Sequence, residues 1–252
     1  MKQFRSYVIC TSPRSGSTLL CRLLREVGHA GFPDSHFHEP NLNEWLGCYG
    51  FRKEQFRTSK DALTAVFQAA LDYGRGTSEI FGLRLQRHSF DFFMEQLNVL
   101  YPYLPDDKSR LIAAFGETLF IHLTRESKLD QAISYVKATQ SGLWHLAPDG
   151  TEIERLSEPK EPVYDAAAIS SQLQLFERME AGWRAWFRNE GIEPLRVTYE
   201  ELSAAPNMTL ARVLEALGLE HEQIAAIAPP TVKLADTTNR EWAERFQQEL
   251  RR

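Results

Sequence analysis

The chain of 252 residues is 43% hydrophobic and 25% charged, and its 14 Gly and 12 Pro are spread along its length. These proportions exclude a collagen-like, low-complexity or disordered chain and are typical of a globular protein. The formal net charge of -5 argues against a nucleic-acid-binding surface, which usually carries a strong basic excess. An anionic ligand must therefore meet positive charge that is concentrated locally.

The cysteines and the N-terminus indicate the compartment. Cys10, Cys21 and Cys48 are an odd number without CxxC or Cys/His spacing, so the sequence predicts neither a disulfide framework nor a zinc site. The first apolar stretch, at 7–10, is too short for a signal peptide or a membrane span. We therefore expect a soluble, unprocessed, cytoplasmic protein without an integral membrane segment.

Short β-branched runs alternate along the chain with longer helical segments, which is the pattern of an α/β fold with a mostly parallel sheet. Strands are predicted at 7–11, 80–85, 119–124 and 195–199, where apolar runs have strand length. We expect a three-layer sandwich, with helices on both faces of the central sheet. The whole chain, 1–252, is predicted to form a single domain.

The strongest helix prediction covers 166–189, where large apolar side chains recur at steps of three and four residues. Gly191 then serves as its C-terminal cap. A similar pattern predicts a helix at 61–73, and another helix at 206–217 opens with proline, whose missing N–H is harmless in a first turn.

Two stretches have a less regular pattern. Residues 143–162 are rich in Pro, Gly and charge without a clear period, so we expect a loop or mobile insertion at about 143–165. This insertion is either a lid over the substrate or simply a long loop. In the polar C-terminal tail, 233–252, residues 236–239 are predicted to cap a last helix that runs through 240–246.

The first predicted strand runs directly into TSPRSGST at 11–18 and then into the helical run LLCRLL at 19–24. A helix N-terminus that follows a strand leaves backbone N–H groups free and carries the positive end of the helix dipole. Such a junction binds phosphate or sulfate. We therefore predict an anion site in this segment, which we call the anion loop.

The side chains of the anion loop suit the same chemistry. Gly16 allows a ligand to approach the backbone, and Arg14 supplies a fixed charge that can make paired hydrogen bonds to an oxyanion. Further hydroxyl donors come from Ser15, Ser17 and Thr18. The alternative interpretation is an ordinary Ser-rich helix cap, which is common after a strand.

A nucleoside-triphosphate loop would read GxxxxGK[ST], whereas this chain contains no Gly-Lys pair and its cation precedes the glycine. ATP with magnesium is therefore disfavoured. A small-molecule kinase stays as an alternative hypothesis, although no acidic metal site is evident after a core strand.

Three segments in chain order carry a family resemblance. After the anion loop, IHLTRESKLDQAIS at 121–134 places Arg at a strand end and Ser nine residues later on a helix. LRVTYEEL at 195–202 is followed by a helix that ends in VLEALG at 213–218. The chain therefore resembles the sulfotransferases that use 3′-phosphoadenosine 5′-phosphosulfate (PAPS).

Within that family, the sequence is most similar to the bacterial trehalose 2-sulfotransferase type. Four motifs carry this similarity: RSGSTLL at 14–20, QAIS at 131–134, EAGWRAWF at 180–187 and EWAER at 241–245. The resemblance implies a P-loop-like fold and transfer of a sulfonate to a hydroxyl of a carbohydrate or glycolipid by in-line displacement. It implies no metal and no nucleic-acid partner, and it allows a homodimer.

The resemblance also implies roles for the donor-side residues. Arg14 would balance charge on the departing 5′-phosphate and the sulfonate, and the residues at 15–18 would bind that phosphate. Arg125 and Ser134 would bind the 3′-phosphate. The alternative is that Ser127 merely caps the helix and Ser134 lies on its polar face.

On the acceptor side, Arg84 alternates with apolar neighbours on a strand and points either into the cleft or to solvent. By resemblance to a basic residue in relatives, we favour the cleft, where Arg84 would contact the sulfonate or the acceptor. Trp144 and Trp186 are candidates for stacking on a sugar face.

The general base is where the resemblance is weakest. Relatives carry a catalytic Glu shortly after a Gly-x-Pro turn, and this chain has Ser35 at the matching position. His36 titrates near neutrality and is the preferred base, ahead of Glu39, with His38 as a further candidate. The His36 and His38 pair also suggests a metal site, but a third ligand is missing.

The departure at Ser35 keeps a non-catalytic hypothesis open, in which the chain binds PAPS or another anion and turns nothing over. An enzyme needs a base aimed at an acceptor pocket beside the sulfonate, whereas a binding module does not. Relatives also fold their C-terminal tail over the nucleotide. Lys233, Thr238 or Asn239 would then touch the 3′-phosphate, unless the tail is a simple surface helix.

Overall fold

The computed structural model describes residues 4–220 and 237–251. The strands are β1 (Ser6–Thr11), β2 (Phe81–Gln86), β3 (Thr118–Thr124), β4 (Leu143–Leu146), β5 (Glu152–Arg155) and β6 (Leu195–Thr198). Four of them form a parallel sheet with the order β2-β1-β3-β6, while β4 and β5 pair as an antiparallel hairpin. The four predicted core strands are therefore confirmed.

The helices are α1 (Ser17–Glu26), α2 (Leu42–Cys48), α3 (Ser59–Arg75), α4 (Arg87–Leu100), α5 (Asp107–Phe115), α6 (Lys128–Ser141), α7 (Ala166–Asn189), α8 (Tyr199–Ala204), α9 (Pro206–Leu217) and α10 (Thr237–Leu250). A short 3-10 turn covers Lys53–Gln55. The helices predicted in the middle of the chain correspond to α3, α7 and α9, and the predicted last helix is α10. The Asp165 side chain accepts a hydrogen bond from Ala168 N and caps α7, and Gly191 follows that helix with a positive φ of 59°.

Side chains of β1 alternate between two hydrophobic cores, as expected for a strand covered on both faces. Val8 and Cys10 pack in the core formed with α2, α3, α4, α5 and α7. Tyr7 and Ile9 pack in the core formed with α1, α8 and α9. The predicted three-layer α/β sandwich is therefore confirmed.

The predicted loop at about 143–165 needs correction, because it contains the β4–β5 hairpin. The hairpin pairing is irregular on both sides of His145. All residues of β4 are half-buried and those of β5 alternate between exposed and half-buried, so neither strand has a buried face. Such short, irregular strands leave no period in the sequence. The hairpin follows Gly142, which ends α6 with φ 74° and accepts a hydrogen bond from Leu156 N at 2.9 Å.

The parallel arrangement brings the carboxyl ends of the four strands to one edge of the sheet, where open α/β folds bind their ligands. The anion loop follows β1, Arg84 lies near the end of β2, Arg125 follows β3 and Tyr199 follows β6. In the two described ranges, no helix has the combination of length and apolar character that a membrane crossing requires.

Candidate active site

A cavity of about 860 Å³ opens at this carboxyl edge, between the anion loop, the β4–β5 hairpin and α7. It brings together most of the residues that the sequence predicts for the site. The predicted residues that line it are Arg14, Gly16, Ser17, Thr18, Glu39, Arg84, Arg125 and Ser134. Two predicted residues, Ser15 and His36, are buried elsewhere.

The backbone of the anion loop is left-handed at two positions. Arg14 has a φ of 62° and Gly16 has a φ of 85°, which is the conformation that glycine adopts without strain. A Cβ atom at Gly16 would lie only 2.8 Å from Cδ2 of Tyr199. Position 16 therefore requires glycine, both for its positive φ and for the space beside Tyr199. The chain continues from Gly16 into α1, whose first N–H groups have no partner within the helix.

Buried hydrogen bonds hold the anion loop in place from two sides. The Ser15 and Thr11 hydroxyls lie 2.5 Å apart, so Ser15 ties the loop to the end of β1 rather than facing the cavity. From α6, the Gln131 side-chain amide donates to Ser12 Oγ at 3.0 Å and to Pro13 O at 2.6 Å. The loop is thus fixed in shape by its own framework.

Arg14 extends from the loop across the cavity wall. Its Nε donates to Ser134 Oγ at 3.0 Å and its Nη1 donates to Trp144 O at 2.5 Å. Burial, with the nearby charge of Arg125, lowers the pKa of Arg14 to about 10, so the guanidinium is still charged at neutral pH. Arg14 therefore joins the anion loop to α6 and to the hairpin.

Arg125 is a buried cation, with 6% of its surface exposed. Its guanidinium lies over the Tyr199 ring, 4.5 Å from the centroid, and its Nη1 is 3.5 Å from Arg14 O. Its Nε has no hydrogen-bond partner among the described residues, and burial lowers its pKa. A buried cation with an unused donor is suited to an anionic ligand.

The structure is compatible with both interpretations of α6: Ser127 as a helix cap, and Ser134 as part of the predicted 3′-phosphate site. Ser127 caps the helix by accepting a hydrogen bond from Asp130 N at 3.2 Å. Ser134, two turns further, nevertheless lies on the cavity wall beside Arg125.

Arg84 points into the cavity, which decides between the two predicted orientations. Its Nη1 donates to Thr18 Oγ1 at 3.0 Å, and its Nη2 lies 3.5 Å from Asp34 Oδ1. Its Nε donates to Ser35 Oγ at 2.7 Å. Ser35, which replaces the Glu that the resemblance implies, therefore orients a cation and supplies no base.

The preference for His36 as the general base is corrected by its position. His36 is 6% exposed and packs between the rings of Phe81 and Tyr73, with both centroids 5.6 Å away. Its Nδ1 lies 2.9 Å from Tyr49 Oη, and burial lowers its pKa to about 4. His36 lies in a turn that directs its side chain into the protein interior, and it does not line the cavity.

Glu39 and His38 do line the cavity. His38 Nε2 lies 3.6 Å from Glu39 Oε1, and the His38 ring makes an edge contact with His88 at 4.9 Å. Burial and His88 lower the pKa of His38. His36 and His38 thus have different surroundings, and the part of the chain that is described holds no cluster of three or more metal-binding side chains.

The hairpin contributes two residues that the sequence reasoning did not assign to the site. His145 Nε2 lies 3.0 Å from Thr18 Oγ1 and 3.4 Å from Glu154 Oε2. Burial, followed by the charges of Arg14 and Arg84, lowers the pKa of His145 to about 3. No spacing in the sequence could have indicated this contact, because β4 meets α1 across 127 positions of the chain.

The EAGWRAWF motif supports the site from α7. Trp183 Nε1 donates to Thr11 O at 2.8 Å, at the end of β1. Glu180 Oε2 accepts from Thr124 Oγ1 at 2.6 Å and lies 3.4 Å from Lys128 Nζ, at the end of β3. Burial alone would raise the pKa of Glu180, but these contacts and His122 hold it well below its usual range. The motif therefore fixes the carboxyl ends of β1 and β3, the two central strands of the sheet.

The structure also bears on the predictions for the two tryptophans and for the C-terminal tail. Trp144 lines the cavity, but Trp186 is buried in the core and donates to Asp107 Oδ2 at 3.0 Å, so it cannot stack on a sugar. In the tail, Asn239 accepts from Lys137 Nζ at 2.8 Å and does not line the cavity. Lys233 lies outside the described residues.

The chain is similar to known sulfotransferases. The trehalose 2-sulfotransferase of Mycolicibacterium smegmatis is 29% identical over 98% of this chain and 96% of its own length. The trehalose 2-sulfotransferase of Mycobacterium tuberculosis is 28% identical over the same shares. A solved sulfotransferase from Alicyclobacillus acidocaldarius aligns with a TM-score of 0.44 and 15% identity, over 99% of this chain and 93% of that chain. The family model for Stf0 sulphotransferases matches residues 6–249, so the chain belongs to the Stf0 sulphotransferase family.

Proposed function

We propose that this sulfotransferase uses PAPS as its donor and transfers the sulfonate to a hydroxyl of a carbohydrate or glycolipid. The observation that carries the proposal is the buried guanidinium of Arg125, whose Nε lacks a partner among the described residues, beside a left-handed loop at a helix N-terminus. Both features suit an oxyanion, and they lie in one cavity. A donor with two separate anionic groups needs such a pair of sites.

The 5′-phosphosulfate is assigned to the anion loop. The N–H groups of the first turn of α1 and the hydroxyls of Ser17 and Thr18 provide donors, and Arg14 provides charge. The 3′-phosphate is assigned to Arg125 and Ser134. Because Arg14 already bonds to Ser134 at 3.0 Å, the two anion sites share one connected wall.

The acceptor is assigned to the remainder of the cavity, next to the anion loop. Glu39 and His38 offer polar atoms that can bind sugar hydroxyls, and Trp144 offers an aromatic face. Leu175 and Met179 add apolar surface from α7 that suits a sugar face or a lipid chain. The two relatives named trehalose 2-sulfotransferase support a carbohydrate. The segment at 143–165, with its hairpin on the cavity wall, is proposed as the cover.

The reaction is an in-line displacement at sulfur. A bond forms between the acceptor oxygen and sulfur, and the bond from sulfur to the 5′-phosphate oxygen breaks with its electron pair left on the phosphate. Negative charge therefore develops on the bridging oxygen, where fixed donors and cations lower the barrier most. Arg14 and Arg84 both line the cavity and supply this charge, and Arg84 Nη1 also donates to Thr18 Oγ1.

The test is a transfer assay with PAPS as donor and trehalose, glucose and a trehalose glycolipid as acceptors, with the sulfated products identified by mass spectrometry. We expect a sulfated sugar from the wild type and at least a 10-fold lower kcat/KM for Arg125→Ala. Arg5→Ala is the matched control, because Arg5 lies at the opposite end of β1 and pairs only loosely with Glu79 at 3.8 Å. Failure to release 3′-phosphoadenosine 5′-phosphate with any acceptor would contradict the proposal.

A further inference from the structure

The β4–β5 hairpin brings His145 to the anion loop. The carbonyl of the preceding residue, Trp144 O, accepts a hydrogen bond from Arg14, so β4 is fastened to the loop at two adjacent residues. The His145 side chain is 23% exposed, while that of Glu154 behind it on β5 is 45% exposed. The imidazole thus lies between the cavity and a carboxylate that reaches solvent.

The two contacts of His145 Nε2 suit both of its protonation states. Thr18 Oγ1 already accepts from Arg84 Nη1 at 3.0 Å, so its own proton is free to be donated to a neutral imidazole 3.0 Å away. When Nε2 carries a proton, it faces Glu154 Oε2 at 3.4 Å, a carboxylate that stabilises the imidazolium. The neutral imidazole therefore has a hydrogen-bond donor in Thr18, and the imidazolium has a carboxylate in Glu154.

The charges around His145 favour its neutral form before the reaction. Arg14 faces it from the anion loop, Arg84 from β2 and Arg22 from α1, while Glu154 faces it from β5. Burial and the three cations together lower its pKa. A neutral imidazole at physiological pH is available to accept a proton.

The other candidate bases have weaker positions. Ser35 is bonded to Arg84, and His36 is outside the cavity. Glu39 and His38 lie in the cavity, but their ion-pair contact is with each other rather than with a residue of the anion loop. Of these five candidates, His145 is the one whose ring contacts Thr18, a residue to which the phosphosulfate is assigned.

We infer that His145 is the general base of the transfer and that Glu154 is its positioning residue and proton exit. This inference rests on the proposed function. As the acceptor oxygen bonds to sulfur, the Thr18 hydroxyl releases His145 Nε2 and the acceptor proton bonds there instead, while the electron pair of the breaking bond from sulfur to oxygen stays on the 5′-phosphate. The imidazolium then loses the proton to water through Glu154.

The test compares His145→Gln, His145→Ala, Glu154→Gln and Glu39→Gln in single-turnover release of 3′-phosphoadenosine 5′-phosphate from PAPS, with trehalose as the probe acceptor and with water alone. Loss of a general base costs about 10²–10⁴-fold. We expect such a loss of rate in His145→Gln and partial rescue of His145→Ala by added imidazole. His29→Gln, at a histidine outside the cavity, is the matched control.

Calorimetric binding of 3′-phosphoadenosine 5′-phosphate separates this inference from the proposed function. The inference predicts that the His145 variants bind it within a few-fold of the wild type. The inference is overturned if His145→Gln keeps its rate within threefold, if imidazole leaves His145→Ala unchanged, or if Glu39→Gln alone shows the loss of rate. Absence of binding by the wild type would instead overturn the proposed function.

Discussion

Arg14 and Ser134, which are 120 positions apart, are joined by a hydrogen bond of 3.0 Å from Nε to Oγ. The same guanidinium reaches the hairpin through Trp144 O. One side chain therefore connects the end of β1, the helix after β3 and the segment proposed as the cover. A change at Arg14 should affect donor binding and hairpin order together.

Arg14→Lys tests this connection. A lysine retains the charge but has one nitrogen in place of the guanidinium fork, so it cannot reach Ser134 Oγ and Trp144 O as Arg14 does. We expect binding of 3′-phosphoadenosine 5′-phosphate to weaken about 10-fold, in line with about 1.5 kcal/mol for a charge-assisted hydrogen bond. Amide hydrogen exchange at 143–146 should become faster. Unchanged exchange in this segment would contradict the connection.

Gly16→Ala tests the shape of the anion loop. The new methyl group combines a positive φ of 85° with a 2.8 Å approach to Tyr199, which together should lower the free energy of unfolding by about 3 kcal/mol. Gly191→Ala is the matched control, since that glycine also has a positive φ but no heavy atom within 4 Å of the added Cβ. We expect it to cost about 1 kcal/mol. Urea denaturation measures the free energy of unfolding of both variants. Equal losses in the two would contradict the inference that the close approach to Tyr199 makes position 16 the more demanding one.

Glu180→Gln tests the support of the strand ends by α7. Because the folded state holds the pKa of Glu180 below its usual range, its charge stabilises the protein above the unfolded pKa of about 4.3, and this stabilisation is lost as the pH falls further. At pH 7 we expect a loss of about 3 kcal/mol, because Lys128 is left without its carboxylate. The difference from the wild type should shrink below pH 4. Glu177→Gln, at an exposed position of the same helix, should change neither the free energy of unfolding at pH 7 nor its dependence on pH.

His36→Phe tests the structural interpretation of a residue that sequence reasoning favoured as a base. Burial depresses the pKa of His36 to about 4, so the neutral ring stabilises the fold above pH 6.5 and this stability is lost as the pH falls towards 4. A phenylalanine should flatten that part of the pH dependence of thermal unfolding and leave sulfonate transfer within threefold. A loss of transfer of 100-fold or more in the folded variant would restore His36 as the base.

Sequence patterns predicted the features that depend on local chemistry. The four core strands, α7 and the anion loop follow from apolar periodicity and from the composition of residues 11–18. The positions of Arg125 and Ser134 in the cavity agree with the predicted 3′-phosphate site, whose occupancy stays a prediction. These elements depend on contacts within a strand or between a strand and the next helix.

The features that sequence patterns missed depend on contacts between distant segments. His145 meets Thr18 because an irregular hairpin folds back over α1, and no period marks its strands. The burial of His36 depends on the ring of Phe81. The direction of Arg84 depends on Ser35 and Thr18; strand alternation left it open, and only the family resemblance favoured the cleft where it lies. Each of these needs a side-chain partner that only the tertiary fold provides.

The most direct test of the account is calorimetric titration of 3′-phosphoadenosine 5′-phosphate, compared with ATP and magnesium, into the wild type, Arg125→Ala and the Arg5→Ala control. The account predicts that the wild type and Arg5→Ala prefer the bisphosphate and that Arg125→Ala binds it about 10- to 100-fold more weakly, as expected for loss of a buried charge-assisted pair. A preference of the folded wild type for ATP, or equal binding by Arg125→Ala, would contradict the assignment of the cavity as a PAPS site.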